Sequence, residues 1–289
     1  MRGHEMTGRT RVPARASARG ERKRLEKLSA SITDRDVQIL LYLYEHKVLT
    51  TRQIAHLSFT SQSRAQARLA RLEELEVIRR TRPPAKYGSL PKHAILDTLG
   101  AVVVAEHLGI ALAELDYRRD RGLGLINSQR LRHLRDTNTF FSVLIAACKS
   151  SEGRYDLVEW KSEEACASRW NRHITPDGLG VLQGPEGRIS FLLELDRGTE
   201  NRSRLAQKIR KYRLIAGASG APQVLLFCFH SEQREASARE ALDGSRLLVA
   251  TTSLDRHSAD PLGAVWRPLR ANHRVRLDGL LHLEEDTPW

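Results

Sequence analysis

Apolar residues recur at helical spacing in the first third of the chain and in short strand-like runs in the second half. Val37, Leu40, Leu41 and Tyr44 fall at positions 0, 3, 4 and 7, which predicts a helix with one buried face. Thr33 stands ready to cap it, and Asp34 and Asp36 suit the positive end of its dipole. The stretch 46–49 breaks that period. Thr50 then caps a short second helix that buries Ile54 and Leu57. After a turn at 59–61, a third helix runs to about Leu75 and buries Ala65, Leu69, Leu72 and Leu75. Its other face carries Ser61, Gln62, Ser63, Arg64, Gln66, Arg68 and Arg71. A basic strand at 77–82, a polar loop with three prolines at 83–92 and a return strand at 93–96 follow.

Residues 98–109 read as a short apolar helix that either packs on this first unit or mediates a homodimer. Residues 110–128 are mixed and rich in Arg and Asp, and read as a linker. A longer helix spans about 128–150, with Leu131, Leu134, Thr137, Phe141, Leu144 and Ile145 on one side. Strands are then expected at 155–160, from Ile174 toward Leu182, at 189–196, at 223–229 and at 247–252. Helices at 201–215 and 231–242 separate the later ones. This alternation predicts an α/β layer structure with a partly parallel sheet, so the fold class is α+β or α/β. The chain divides into a basic arm (1–30), a first folded unit (31–97), a helix and linker (98–128), an α/β domain (129–252) and a C-terminal extension (253–289). In the extension, 264–268 reads as one more edge strand.

Composition narrows the classes. The 289 residues are 40% apolar, which excludes a wholly disordered chain. Three cysteines without a C-x-x-C pair make neither a disulfide framework nor a zinc ribbon. The longest apolar runs, at 143–148 and 224–229, fall far short of the roughly 20 residues of a membrane span. The basic N-terminus has no apolar segment behind it, so a secretory signal is not expected and a cytoplasmic protein is. The net charge is +12, and the first 97 residues hold +10 of it. The basic arm reads either as a phosphate-following segment or as a solvated tail, with Met6 as an alternative start.

Three helices followed by a basic hairpin is the layout of a winged helix-turn-helix, whose third helix enters the major groove while the hairpin touches the backbone. Double-stranded DNA is the partner this predicts. Ser63, Arg64, Gln66 and Arg68 are the groove candidates, because Arg and Gln read base edges by paired hydrogen bonds. Arg79, Arg80, Arg82, Lys86 and Lys92 are the phosphate candidates. The competing readings are a solvated helix face and a winged module that docks protein.

The second unit carries Pro176-Asp177-Gly178, a hairpin and then Glu194-Leu195-Asp196. Alternate strand residues share a face, so Glu194 and Asp196 point one way. A hairpin that brings Asp177 beside them makes a three-carboxylate site for a hard cation such as Mg²⁺, with Asp177, Glu194 and Asp196 as ligands and catalytic acids. Lys208 on the following helix adds a positive charge. Glu163 and Glu164 are further acids upstream. The plain alternative is that Glu194 and Asp196 are polar strand-end residues, with Arg197 as an ion-pair partner.

Several of these segments together resemble the bacterial replication-relaxation family. They are Thr33-Asp34-Arg35-Asp36 with Leu40 and Leu41, Thr51-Arg52-Gln53-Ile54-Ala55, Arg68-Leu69-Ala70-Arg71-Leu72 with Val77-Ile78-Arg79-Arg80, and Pro176-Asp177-Gly178 with the block from Phe191 to Glu200 and Lys208 to Tyr212. The resemblance implies a plasmid or mobile-element protein of DNA replication or relaxation, with other plasmid replication or transfer proteins as partners. The second unit is also similar to the restriction-endonuclease-like fold, whose pattern is Pro-Asp, a hairpin, then Glu-x-Lys. That similarity implies a metal-dependent, nicking DNA endonuclease. Here Asp196 stands where the lysine belongs, so either Lys208 replaces it or the domain keeps the fold without cleaving. The rival reading is a winged-helix transcriptional regulator whose second half binds a ligand or partner.

Overall fold

The computed structural model describes residues 28, 30–83, 90–198, 201–215, 222, 224–242 and 247–285. Nearly all of the basic arm, Lys86 in the polar loop, Thr199 and Glu200 lie outside the described residues.

Helix α1 (Asp34–His46) begins with a reciprocal cap: the Thr33 hydroxyl accepts from the Asp36 amide, and the Asp36 carboxylate accepts from the Thr33 amide at 2.8 Å. Its buried stripe is Asp36, Ile39, Leu40, Leu43 and His46. The predicted face of Val37, Leu40, Leu41 and Tyr44 is therefore rotated, and only Leu40 of those four is fully buried. The cause is Asp36. Arg68 draws this carboxylate inward, donating from Nε to Oδ1 at 2.8 Å and from its second nitrogen to Oδ2, while also holding the Ser31 carbonyl at 2.8 Å. Burial raises the Asp36 pKa, but hydrogen bonds from Arg68 and Thr33 outweigh it and hold the carboxyl below its ordinary value.

Thr50 and Gln53 make the same reciprocal cap on α2 (Thr51–Ser58), and Ser61 caps α3 (Gln62–Glu74). Strands β1 (Leu49–Thr50), β2 (Ile78–Thr81) and β3 (His93–Leu96) form an antiparallel sheet in the order β1-β3-β2, with Ile78 opposite Leu96 and Leu49 opposite Ala94. Two residues are too few to show a strand period, so β1 has no signature in the sequence. Ile39, Leu40, Leu43, Ile54, Leu69, Leu72 and Ile78 close the core, joined by Leu28 from the end of the basic arm.

Helix α4 (Thr98–Leu108) packs on that same core through Ala101, Val104 and Ala105. The reading of 110–128 as a linker is corrected: a 3-10 turn (Leu112–Leu115) and α5 (Arg119–Ile126) fold back onto the first unit. The Tyr44 hydroxyl donates to the Leu115 carbonyl at 2.8 Å, Arg119 pairs with Asp97 at 3.1 Å, and Ile126 is buried against Val48 and Ile95. Charge-rich composition misled here, because these charges pair with the unit beneath them.

Helix α6 (Arg130–Ser150) leads into β4 (Asp156–Ser162), α7 (Glu163–Arg169), β5 (Gly178–Gly184) and β6 (Gly187–Asp196). Then come α8 (Arg202–Ile215), β7 (Val224–Phe229), α9 (Glu232–Arg239), β8 (Leu248–Ser253), α10 (Leu254–Ala259) and β9 (Arg267–Pro268). The sheet order is β4-β5-β6-β7-β8-β9: an antiparallel meander, then parallel β6-β7-β8, then antiparallel β9. With the first unit, this makes the chain α+β. Phe140, Phe141 and Leu144 of α6 pack on one sheet face against Phe191, Leu193, Leu226 and the fully buried Trp266. Leu205, Ile209 and Tyr212 of α8 cover the other face at Leu192, Leu225 and Phe227. Gly178 is required by the close approach of α6, since a Cβ there would meet the Phe141 ring at 2.6 Å. The extension joins the fold through Trp266, β9, Leu277 and Leu280. No single helix among the described residues is long and apolar enough to cross a membrane.

The first unit is tied to α6 by side-chain amides. Gln53 Nε2 donates to the Arg135 carbonyl at 2.7 Å and to Thr139 Oγ1 at 2.9 Å. Asn138 Nδ2 donates to the Val48 carbonyl at 2.8 Å, and the Lys149 ammonium donates to the Leu57 carbonyl. His46 stacks on Trp160 of β4 with ring centroids 3.4 Å apart.

Arg68→Ala leaves the buried Asp36 carboxylate without its cation and is expected to cost about 3 kcal/mol in urea unfolding, while Arg64→Ala stays within about 0.5 kcal/mol. Because the folded pKa of Asp36 is depressed, its contribution is complete above the ordinary carboxyl value of 3.8 and is lost as the pH falls through the folded pKa. The difference between wild type and Arg68→Ala should therefore narrow in acid. Equal unfolding midpoints at pH 7 would contradict the role of this pair.

Candidate functional site

The N-terminal two turns of α3 present Gln62, Ser63, Arg64, Gln66 and Ala67 to solvent, while Ala65, Leu69 and Leu72 anchor the helix. Among the described residues, the Arg64 guanidinium reaches the Thr60 hydroxyl at 3.3 Å. Arg71 is also exposed and pairs with Glu74 at 2.8 Å. Arg68 does not belong to this face: its guanidinium is committed to Asp36. Arg80 is likewise withdrawn, pairing with Glu73 at 2.8 Å with its side chain 8% exposed. Arg79, Arg82 and Lys92 lie on the surface of the β2–β3 hairpin. Of the nine candidates for DNA contact, Ser63, Arg64, Gln66, Arg79, Arg82 and Lys92 therefore remain outward. Strand and helix periods could not separate these from Arg68 and Arg80, because the partners Asp36 and Glu73 lie on other elements or another turn.

Hairpin β5–β6 brings Asp177 and Glu194 toward one end of the sheet, and α8 places Lys208 over Glu194. Lys208 Nζ donates to Glu194 Oε2 at 2.6 Å, and the Tyr212 hydroxyl donates to Oε1. Glu194 is 3% exposed. Burial first, and the Asp177 charge second, push its pKa up to about 7 against the pull of Lys208 and Tyr212. Asp177 accepts from the Leu195 amide at 2.7 Å on one oxygen, while the other lies 2.7 Å from His133 Nε2. Burial lowers the His133 pKa, but the Asp177 carboxylate more than reverses this, and the imidazole is held above its ordinary value. Asp196 shares the sheet face of Glu194 and is drawn to a different partner. Arg234, near the start of α9, donates to its Oδ2 at 2.6 and 3.0 Å, and the Gly198 amide takes Oδ1.

The carboxylate site therefore differs from the one the sequence predicts. Asp177, Glu194 and Lys208 are neighbours, and Asp196 is paired away. Glu163 pairs with Arg130 at 2.8 Å and Glu164 with Lys47 at 3.1 Å. Among the described residues, no three His, Cys, Asp or Glu side chains are grouped to hold a metal ion. Each oxygen of Glu194, Asp177 and Asp196 already meets a donor or cation of the chain, and Glu194 is poised between its charged and neutral forms. This donor set does not fit Mg²⁺, which prefers free carboxylate oxygens in octahedral array. What the arrangement can do is bind β6 to α6, α8 and α9 through charge.

His133 and Arg234 were missed in the sequence. His133 stands one turn before Thr137 on the predicted α6 face, a weak signal. Arg234 becomes visible only once β6 and β7 are known to run parallel with Asp196 beside Phe229, which sets the start of α9 over Asp196.

Two packed units meet at α6, with an exposed helix end on one and a charged sheet end on the other. The family model described as replication-relaxation matches residues 40–224, well over half of the chain, and the chain belongs to that family. No curated protein matches it, and no solved structure does.

Glu194 carries a raised folded pKa, so the native state binds an extra proton between pH 4.5 and about 7, and stability falls as the pH rises through that window. His133, also raised, contributes stability that is complete below its ordinary value of 6.5 and is lost as the pH rises through its folded pKa. Glu194→Gln should flatten the decline in urea midpoint between pH 5 and pH 7. A decline identical to wild type would contradict the assignment.

Proposed function

We propose that this chain is a duplex-DNA-binding protein of replication or DNA relaxation, that its first unit is a winged helix-turn-helix, and that its second is a nuclease-like scaffold that does not cleave. Membership in the replication-relaxation family supports the replication theme. The observation that carries the DNA reading is the outward face of α3. A capped helix, anchored through Ala65, Leu69, Leu72 and the Arg68–Asp36 pair, holds Ser63, Arg64 and Gln66 in solvent at its N-terminal end. A helix of this width enters the major groove, and Arg and Gln are the side chains that pair with guanine and adenine edges. Arg79 stands on the adjacent hairpin, positioned for a phosphate. The rigid joint to α6 keeps this face at a fixed angle to the rest of the molecule.

The order of Pro176-Asp177, the β5–β6 hairpin and Glu194 supports a nuclease-like second unit. The engagement of every carboxylate by chain donors favours a scaffold over a cutting site. Plasmid or mobile-element DNA is the substrate the family resemblance suggests.

Fluorescence anisotropy on mixed-sequence duplexes tests the groove face. Arg64→Ala with Gln66→Ala should weaken binding to a preferred duplex by about 2 kcal/mol or more, by the loss of base-edge pairing. Arg79→Ala should weaken all duplexes alike and make the salt dependence shallower by about 0.9. Unchanged affinity in the α3 double variant would overturn the groove assignment. Supercoiled plasmid incubated with Mg²⁺ or Mn²⁺ should stay intact with wild type and Glu194→Gln alike. Nicking by wild type that the variant abolishes would replace the scaffold reading with an enzymatic one.

A further inference from the structure

A second basic surface borders the β2–β3 hairpin at Pro83 and Leu90 and includes no residue of α3. Between β3 and the end of β6 the chain encloses a cleft of about 770 Å³, walled by the first turns of α6 and by 195–197. Arg130, Arg132, Arg135 and Arg197 line it. Their internal partners do not match them in number. Asp136 is shared by Arg135, at 3.1 Å, and by Arg197. Arg130 pairs with Glu163 at an exposed position, and Asp196, also in the wall, is already taken by Arg234. The Arg197 pKa is lowered by burial first and then by the nearby charges of Arg135 and Arg132, so the crowding of cations is felt inside the wall. His93 forms part of the floor with 1% exposure, and neither ring nitrogen makes a well-formed hydrogen bond.

Among the described residues, four guanidinium groups paired with two carboxylates leave an excess of positive charge in a partly enclosed space, where an anion is held more strongly than at an open surface. Guanidinium forks match phosphate oxygens in geometry. We infer that this cleft grips the phosphodiester backbone of DNA at a place separate from the α3 face. The inference rests on the DNA-binding reading above and adds a second contact to it. A cleft of about 770 Å³ takes a few phosphates of one strand and not a whole double helix. Among the described lining residues there is no Phe, Tyr or Trp, which favours an electrostatic grip over base stacking.

The test measures anisotropy of the full chain with two labelled probes, an oligothymidylate and a mixed-sequence duplex, over a salt series. The variants are Arg130→Glu with Arg132→Glu, the milder Arg132→Gln, Arg132→Lys as a charge-keeping control, and Arg64→Ala with Gln66→Ala. Urea midpoints check that each is folded; Arg132 is exposed and its glutamine variant is expected to fold as wild type. The charge-reversal pair should lose tenfold or more in affinity, with a salt slope shallower by about 1.4 on the single strand, or about 1.8 if duplex phosphates occupy the cleft. Arg132→Gln should show about half that change in slope, and Arg132→Lys should stay close to wild type. A loss confined to the oligothymidylate assigns the cleft to a single strand, and a loss on the duplex as well assigns it to the duplex backbone. Affinity and slope unchanged on both probes in folded charge variants would overturn the cleft while leaving the α3 reading intact. Loss in the cleft variants with none in the α3 double variant would do the reverse.

Discussion

The molecule depends on α6 being held from both sides. On its sheet side, Phe140, Phe141 and Leu144 pack against β6 and Trp266. On its other side, Gln53 and Asn138 hydrogen-bond to backbone carbonyls across the joint, and both side chains are buried. Buried amides of this kind cost free energy when left unpaired, so the joint is specific as well as stabilising. An apolar seam would allow the units to slide; carbonyls fixed on one helix and amides fixed on another allow a single register. The angle of α3 to the sheet follows from that register, and the arginine-lined cleft exists because the first turns of α6 are pinned beside β3 and the end of β6.

Positive charge is used in two ways. Part of it is internal: Arg68 with Asp36, Arg80 with Glu73, Arg234 with Asp196 and Arg274 with Glu235 each tie one element to another. Three of the carboxylates in these pairs are at most 2% exposed, so each depends on its arginine. Much of the remainder is external, and part of that lies on the start of α3, on the hairpin and in the cleft. A net charge of +12 is therefore a poor map of where an anion would sit. Of the outward cations, those on the start of α3 and on the hairpin serve the proposed groove contact, and those of the cleft serve the second grip inferred for the backbone.

The sequence made the regular elements legible where apolar spacing was regular. The three helices of the first unit, the long helix, the β5–β6 hairpin and the parallel strands all follow from it, and Arg267 and Pro268, at the end of the expected 264–268 strand, form the edge strand β9. It was opaque wherever a charged residue did structural work. Asp36 rotates the buried face of α1 because a carboxylate can be interior when Arg68 comes with it. The stretch 112–126 looked like a linker because its arginines and aspartates were assumed to face water, yet Arg119 and Tyr117 fasten it to Asp97 and Leu96. At the candidate site, Asp177, Glu194 and Lys208 were found by motif and spacing. The separation of Asp196 from them was not, since Arg234 lies 38 residues away and reaches it only through the parallel pairing of β6 and β7.

The central claim is that the exposed end of α3 faces duplex DNA, and amide hydrogen exchange of the full chain with and without a bound duplex tests it most directly. The account predicts slowed exchange in residues 62–68 and in the β2–β3 hairpin, with the α6 joint already slow in the free protein. Duplex binding that leaves 62–68 exchanging as in the free chain would contradict it.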